Sequence, residues 1–275
     1  MAPRSRRPDR FALIAIGFCV LSAACATTSG SSDTPLSALY PKNEDLSARQ
    51  IISRAHRAAG GETWRKPRSL RLTGYNVTYR DGQVIYYDEY SMHRVYADAK
   101  PDSRTADGRV RIEAKKDGET AFLLTFDGTR TYNQDGPLAD QSANNLWSSN
   151  FGYGAIRNAL DDGWTQKRLP DDLVDGRWAH FVELTDPSGG TTRFGIDAER
   201  YAIVYVGFDS PRGWHERRYS NFYSKPGISW RQPGRVRLMY DAVKQNEIIW
   251  TDFDVNVEMP EALFVVSEGG SAEAN

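Results

Sequence analysis

Cysteine is nearly absent from the chain. Its only two cysteines are Cys19 and Cys25, and both lie among the first 25 residues. We expect residues 1–24 to be removed as a signal peptide, which leaves Cys25 alone in the mature chain. A single thiol forms no internal disulfide and builds no thiol cluster for a metal ion. In an oxidising envelope compartment, the stability of the fold must therefore come from its hydrophobic core.

Histidine is also scarce, and the motifs of common catalytic sites are missing. No HExxH zinc motif, no phosphate-binding GxxxxGK[ST] loop and no GxSxG nucleophile turn occurs. His56 lies in a predicted helix, where an exposed or hydrogen-bonded histidine is expected in preference to a metal ligand. The sequence therefore predicts no catalytic residue, no metal ligand and no cofactor. The histidines are scattered singly, as His56, His93, His180 and His215.

Paired carboxylates are present, but their spacing does not favour catalysis. Asp171 and Asp172 are neighbours in sequence, as are Asp161 and Asp162. Neighbours on a strand point to opposite faces, whereas a glycosidase needs two carboxylates that face each other across the scissile bond. We interpret these pairs as turn and surface residues. An envelope enzyme that acts on glycans remains an alternative, because distant strands can bring two carboxylates together.

The chain has no strong charge of either sign and no long apolar run. Its formal net charge is -1, and removal of residues 1–24 takes away four basic and one acidic residue, which makes the mature chain more acidic. No nucleic-acid partner is expected. The longest apolar run, Phe11 to Leu21, is shorter than the ~20 residues that cross a bilayer.

The N-terminus has the pattern of an export signal. Arginines precede the apolar run, and small residues follow it. Leu21-Ser22-Ala23-Ala24-Cys25 resembles the lipobox of bacterial lipoproteins, which implies an acyl group such as palmitate on Cys25. Plain cleavage near Ala24 or Ala26 is the alternative. Residues 25–45 are small and polar, as in a flexible tether. Ala26 resembles the sorting signal for the outer membrane, so we predict an outer membrane lipoprotein that faces the periplasm.

The remaining chain predicts one mainly β domain over residues 46–267, followed by a disordered tail over residues 268–275. Ser47 to Gln50 fits a capping box that begins a helix, and Gly60 suits the residue that ends it. About ten strands then follow at spacings of about ten residues, with Asp81-Gly82 as a hairpin turn. A second, short helix is predicted near residues 151–163. Together these features predict a large curved antiparallel sheet, with the helices on its concave side.

Several short motifs, in this order, give the sequence a family resemblance. Ala55, Ala58 or Ala59, Gly60-Gly61 and Trp64 are followed by a strand that begins at Ser69. This pattern resembles the start of LolA/LolB-like proteins, the lipoprotein-sorting superfamily of the periplasm and outer membrane. The segments that agree later are Phe126-Asp127-Gly128, Tyr219 to Tyr223, Pro226-Gly227-Ile228 with Pro233, Asp254 to Val257 and Ala262-Leu263-Phe264.

The resemblance implies an unclosed β-barrel whose concave face, covered by helices, holds an acyl chain or a similar apolar ligand. We therefore predict a lipoprotein that binds a lipid or an acylated protein and catalyses no reaction. A structural or regulatory lipoprotein whose core is filled by its own side chains is a further alternative. The residues predicted to contact the ligand are Val236, Leu238, Tyr240, Phe253, Val255 and Val257.

Overall fold

A computed structural model of the protein describes residues 45–97, 106–148 and 153–266. The predicted signal peptide, Cys25, nearly all of the tether and the predicted tail lie outside the described residues. All described residues belong to a unit that spans Tyr40–Asn275. Within the described ranges, no helix has both the length and the hydropathy that a membrane span requires.

The first helix begins and ends where the sequence predicts. The Ser47 hydroxyl accepts a hydrogen bond from the Gln50 backbone N–H at 3.3 Å, and the Gln50 side chain accepts one from the Ser47 N–H at 2.9 Å. This reciprocal capping box satisfies two of the free N–H groups at the helix start. The helix ends at Gly60, whose φ of 137° favours glycine. The helices are α1 (Ala48–Ala59), α2 (Glu62–Arg65) and α3 (Gly154–Asn158), with 3-10 turns at Gln141–Trp147 and Glu261–Phe264.

Thirteen strands of the described chain form one antiparallel sheet. Its order is β6-β5-β4-β3-β2-β1-β13-β12-β11-β10-β9-β8-β7, so β6 and β7 are free edges and the sheet is not closed. The predicted fold class, a mainly β unclosed barrel with few helices, is confirmed. The strands are β1 (Ser69–Arg80), β2 (Gln83–Val95), β3 (Arg109–Lys116), β4 (Glu119–Phe126), β5 (Thr131–Asn133), β6 (Gly136–Pro137), β7 (Thr165–Val174), β8 (Arg177–Thr185), β9 (Thr191–Asp197), β10 (Ile203–Ser210), β11 (Gly213–Tyr223), β12 (Gln232–Tyr240) and β13 (Val243–Val255).

One face of the sheet, here called the core face, packs against α1, α2 and α3. Paired residues on neighbouring strands point to the same side, and Val182, Phe194 and Val206 form such a row across β8, β9 and β10. All three are fully buried in one cluster with Ile51 and Ile52 of α1. The opposite side is called the outer face. Burial of large apolar side chains at ~25 cal/mol per Å² is what holds the helices on the core face.

The last strand departs from the predicted alternation. Strict alternation along β13 would place Thr251 and Val257 on one face with Phe253, but a bulge between Thr73 and Gly74 of β1 interrupts the pairing at this point. Thr251 is exposed, and its hydroxyl donates to the Thr73 carbonyl. β13 then ends at Val255, because Asn256 takes a φ of 60°. Val257 therefore lies beyond the strand.

Candidate functional site

Five of the six predicted ligand contacts lie on strands whose register places them on the core face. Val236, Leu238 and Tyr240 alternate along β12 opposite Tyr219, Arg217 and His215 of β11. Phe253 and Val255 pair with Leu72 and Leu70 of β1. Val236, Tyr240 and Phe253 are buried, whereas Leu238 and Val255 are half-buried. The sixth residue, Val257, is half-buried beyond the strand end and accepts a hydrogen bond from the Ser69 hydroxyl through its carbonyl.

The helices fill the space over the middle of the core face. Trp64 of α2 is 1% exposed and lies within 5.6 Å of the Tyr153 ring, measured between ring centroids. Tyr153 in turn lies 4.7 Å from the Tyr219 ring on β11. The cavity that remains between Ala59, Trp64, Tyr153 and Phe222 has a volume of only about 10 Å³. In the described part of the chain, this space is filled by side chains and is too small for an acyl chain.

A buried arginine lies at the centre of this helical layer. Arg157 of α3 is only 3% exposed. Its guanidinium lies 4.7 Å from the Trp64 ring centroid, 5.0 Å from that of Tyr96 and 5.4 Å from that of Trp230. Among residues 45–97, 106–148 and 153–266, no carboxylate forms an ion pair with it, and its Nε atom makes no hydrogen bond. Within these ranges, the contacts that stabilise this charge are cation–π contacts with the three aromatic faces.

A histidine joins the first helix to the third. Nε2 of His56 lies 2.7 Å from the Ile156 carbonyl oxygen, so the neutral ring donates a hydrogen bond from this atom. Burial lowers the pKa of His56 to about 4, because desolvation penalises the charged ring, and nearby Arg65 and Arg157 lower it further. The prediction that His56 is a satisfied helix residue agrees with this geometry.

Polar contacts tie the middle and the C-terminal end of α1 to loops between strands. The Arg54 guanidinium donates to the Tyr201 hydroxyl at 2.6 Å. At the C-terminal end, the Arg231 N–H donates to the Ala59 carbonyl at 2.8 Å. The Ser229 hydroxyl donates to the Gly60 carbonyl at 2.9 Å. These hydrogen bonds add to the apolar packing of the helix, in which Ile51 and Ile52 are buried beside small alanine side chains.

A second buried histidine lies near the end of the predicted ligand surface. The T-shaped contact between the His215 and Tyr240 rings has a centroid distance of 5.0 Å. Nε of Arg217 donates to Nε2 of His215 at 3.1 Å, so that ring nitrogen carries no proton. Burial, followed by the positive charges of Arg217 and Arg212, lowers the pKa of His215 to about 2. Tyr240 is therefore a packing partner of a neutral imidazole at this position.

The interpretation of Asp171 as a surface residue is wrong. Its side chain is 3% exposed, and its Oδ2 accepts a hydrogen bond from Nδ1 of His180 at 2.9 Å. Arg168 forms an ion pair with the same carboxylate. Burial raises the pKa of Asp171, although the contact with His180 opposes this shift. The error arose because strand β7, which carries Asp171, was not predicted.

A site that sequence reasoning missed lies on the outer face. A cavity of about 460 Å³ is formed between β7 and the outer face of β8 to β11. The signal that would have revealed β7 is Asp175-Gly176, a hairpin pair of the same kind as Asp81-Gly82. Within the described residues, no group of three or more His, Cys, Asp or Glu side chains is arranged to hold a metal ion. The residues that line the cavity are Leu169, Pro170, Asp172, Leu173, Val174, Phe181, Arg193, Tyr205, Glu216 and Arg218.

Comparison with known proteins finds similarity of fold without similarity of sequence. No protein-family model matches the chain, and no curated protein matches it. It is similar to a LolA superfamily protein from Nitrosomonas europaea, with 13% identity, 80% of this chain and 98% of that one covered, and a TM-score of 0.49. It is also similar to an outer membrane lipoprotein-sorting protein domain from Vibrio parahaemolyticus, with 12% identity, 79% and 97% covered, and a TM-score of 0.46.

Proposed function

We propose that the protein is an outer membrane lipoprotein, anchored through Cys25, that binds a lipid or an acylated partner on the core face of its sheet. The lipid enters when the layer formed by α1, α2 and α3 moves aside. The observation that carries this proposal is Arg157, a buried guanidinium whose contacts within the described residues are aromatic rings. Burying a charge without an opposite charge costs several kcal/mol, and an anionic ligand would offset this cost.

The energetics of the layer support its displacement. Three cation–π contacts at about 0.5–2 kcal/mol each offset part of the cost of burying the guanidinium. The helix α1 buries Ala48, Ala55 and Ala59 together with Ile51 and Ile52, and each isoleucine contributes about 1.5–3 kcal/mol. An acyl chain gains about 0.8 kcal/mol for each buried CH₂. A palmitoyl chain of about 14 CH₂ groups therefore gains about 11 kcal/mol, which is of the same order as the burial of the large apolar side chains of the helices.

Once the layer is displaced, the core face offers both parts of a lipid site. Val236 and Phe253 present apolar surface to the acyl chain, with the rings of Trp64 and Tyr153 at its side. The Arg157 guanidinium then pairs with the carboxylate or phosphate of the lipid, which supplies a partner of opposite charge. No step in this proposal requires catalysis.

The test is lipid binding by residues 30–275, purified without the anchor. Native mass spectrometry is expected to detect a co-purified lipid, and palmitate is expected to displace a hydrophobic fluorophore saturably. Arg157→Met should weaken palmitate binding about tenfold and leave hexadecanol binding unchanged, since the alcohol carries no charge. The matched control is Arg193→Met, which removes an arginine that lies over the Trp214 ring on the outer face, away from the helices. No bound lipid and no saturable displacement would favour the alternative of a structural or regulatory lipoprotein with a filled core.

A further inference from the structure

The cavity on the outer face is separated from the core face by the sheet itself. Phe181, Gly195, Tyr205 and Arg218 are paired in a row across β8 to β11, and all of them point away from the core. The cavity volume of about 460 Å³ lies in the range of small-ligand sites, about 300–1,000 Å³. Whatever binds here does not contact the helices or the proposed lipid site.

The floor of this cavity is an aromatic surface that two glycines make possible. A Cβ atom at Gly207 would lie 2.5 Å from the Tyr205 hydroxyl and 2.6 Å from Cζ2 of Trp214. A Cβ atom at Gly195 would lie 3.1 Å from Cζ of Phe181. The three aromatic side chains therefore lie directly over glycine backbone, which any larger residue would prevent. The Nε1 atom of Trp214 donates to the Tyr205 hydroxyl at 3.1 Å, which fixes the two rings together.

Charged side chains surround the aromatic floor in matched pairs. Arg193 donates to Glu183 at 2.9 Å and lies over the Trp214 ring at 5.4 Å. Arg218 donates to Glu216 at 2.6 Å. The lining of the cavity carries two cations, Arg193 and Arg218, and two anions, Asp172 and Glu216, so it offers hydrogen-bond donors and acceptors without a formal net charge. This arrangement of charged side chains favours a neutral polar ligand over an anion.

The wall of the cavity comes from β7, the free edge of the sheet. The pairing of β7 with β8 shifts between Leu169 and Asp172, next to Pro170, and this irregularity moves the edge strand out of plane. Leu173 stands on this wall with 52% of its surface exposed. At the hairpin tip, Asp175 forms ion pairs with Arg218 and Arg237, which hold the hairpin against the outer face.

We propose that this cavity, lined by the rings of Phe181 and Tyr205 and by the charged side chains of Arg193 and Glu216, binds a neutral saccharide. Trp214 supports the site from beside it, through its hydrogen bond to Tyr205. A sugar ring carries C–H groups on its faces and hydroxyl groups around its rim. The C–H groups match an aromatic surface, and hydroxyl groups both donate to carboxylates and accept from guanidinium groups. An apolar acyl chain would form no hydrogen bonds with the charged side chains of the cavity. An anion would be repelled by the carboxylates of Asp172 and Glu216.

The experiment measures saccharide binding by the full lipidated protein in detergent. N,N′,N″-triacetylchitotriose and maltotriose, which are both neutral, are titrated by calorimetry as free ligands, and insoluble chitin is used in a sedimentation assay to detect binding to a longer neutral glycan. At least one of the three is expected to bind. Absence of binding to all three at millimolar sugar concentration would overturn the proposal.

Variants locate the site. Gly207→Ala has no unfavourable φ and displaces only the ends of the Tyr205 and Trp214 side chains, so the fold should persist while binding weakens at least tenfold. Arg193→Met tests the charged side chains independently of the aromatic rings and should also weaken saccharide binding severalfold. The Arg193 side chain is half exposed, so its loss should not disturb the fold. Tyr86→Ala is the control, since Tyr86 is an exposed aromatic residue outside this cavity. Unchanged affinity in both site variants would contradict the assignment, and neither variant should alter palmitate binding.

Discussion

Acid should weaken the folded state through His56, and the size of this effect follows from the structure. The imidazole has its ordinary pKa of 6.5 in the unfolded chain and a pKa of about 4 in the folded protein. As the pH falls, the unfolded chain takes up a proton first. The contribution of His56 is therefore fully present above pH 6.5 and is lost as the pH falls toward 4. Between pH 7.5 and pH 4.5, linkage gives a loss of about 2–3 kcal/mol in the free energy of unfolding.

The substitution His56→Gln isolates this contribution. The glutamine side chain keeps an N–H donor for the Ile156 carbonyl but has no proton to gain in this pH range. His215, whose pKa is also lowered by burial, remains in both proteins and cancels from the comparison. Urea unfolding, followed by tryptophan fluorescence at pH 7.5 and pH 4.5, gives the loss in the free energy of unfolding for each of the two proteins. The variant should lose about 2–3 kcal/mol less than the wild type, and an equal loss in both proteins would refute the reasoning.

Two further substitutions test the helix end and the anchor. Gly60→Ala should lower the free energy of unfolding by at least about 2 kcal/mol, because its φ is 137° and the new Cβ atom would lie 2.3 Å from the Ser229 carbonyl oxygen. Gly61→Ala, whose Cβ atom would meet nothing within 4 Å, is the control, and an equal cost in urea unfolding would contradict the close approach. Cys25→Ser should release the protein from the membrane fraction, as checked by fractionation and immunoblotting, and firm retention would refute lipidation at Cys25.

Local signals in the sequence were sufficient for much of the fold. The capping box at Ser47, the ending of α1 at Gly60 and the hairpin at Asp81-Gly82 each depend on a few neighbouring residues, and the structure has all three. β7 was missed because Pro170 and the pair Asp171-Asp172 are unfavourable in strands. Its position at a free edge of the sheet is what tolerates the proline, and that position is a property of the whole topology.

The candidate sites show the same limit. Alternation along β12 correctly placed Val236, Leu238 and Tyr240 on one face, but it held no information on what covers that face. Arg157 gave no signal, since its three aromatic neighbours are contributed by distant segments of the chain. Likewise, nothing in the local sequence relates Gly207 to the rings that lie over it. These features depend on packing between distant segments of the chain, which cannot be inferred from the spacing of residues along the sequence.

The central claim is that lipid binds on the core face beneath the helices. Photo-crosslinking with a diazirine derivative of palmitate, followed by peptide mass spectrometry, tests it most directly. The account predicts labels on β12 and β13 peptides that contain Val236 and Phe253, and on the peptide that contains Trp64, all suppressed by excess palmitate. Labels confined to exposed apolar residues at hairpin ends, such as Val84 and Val243, would contradict it.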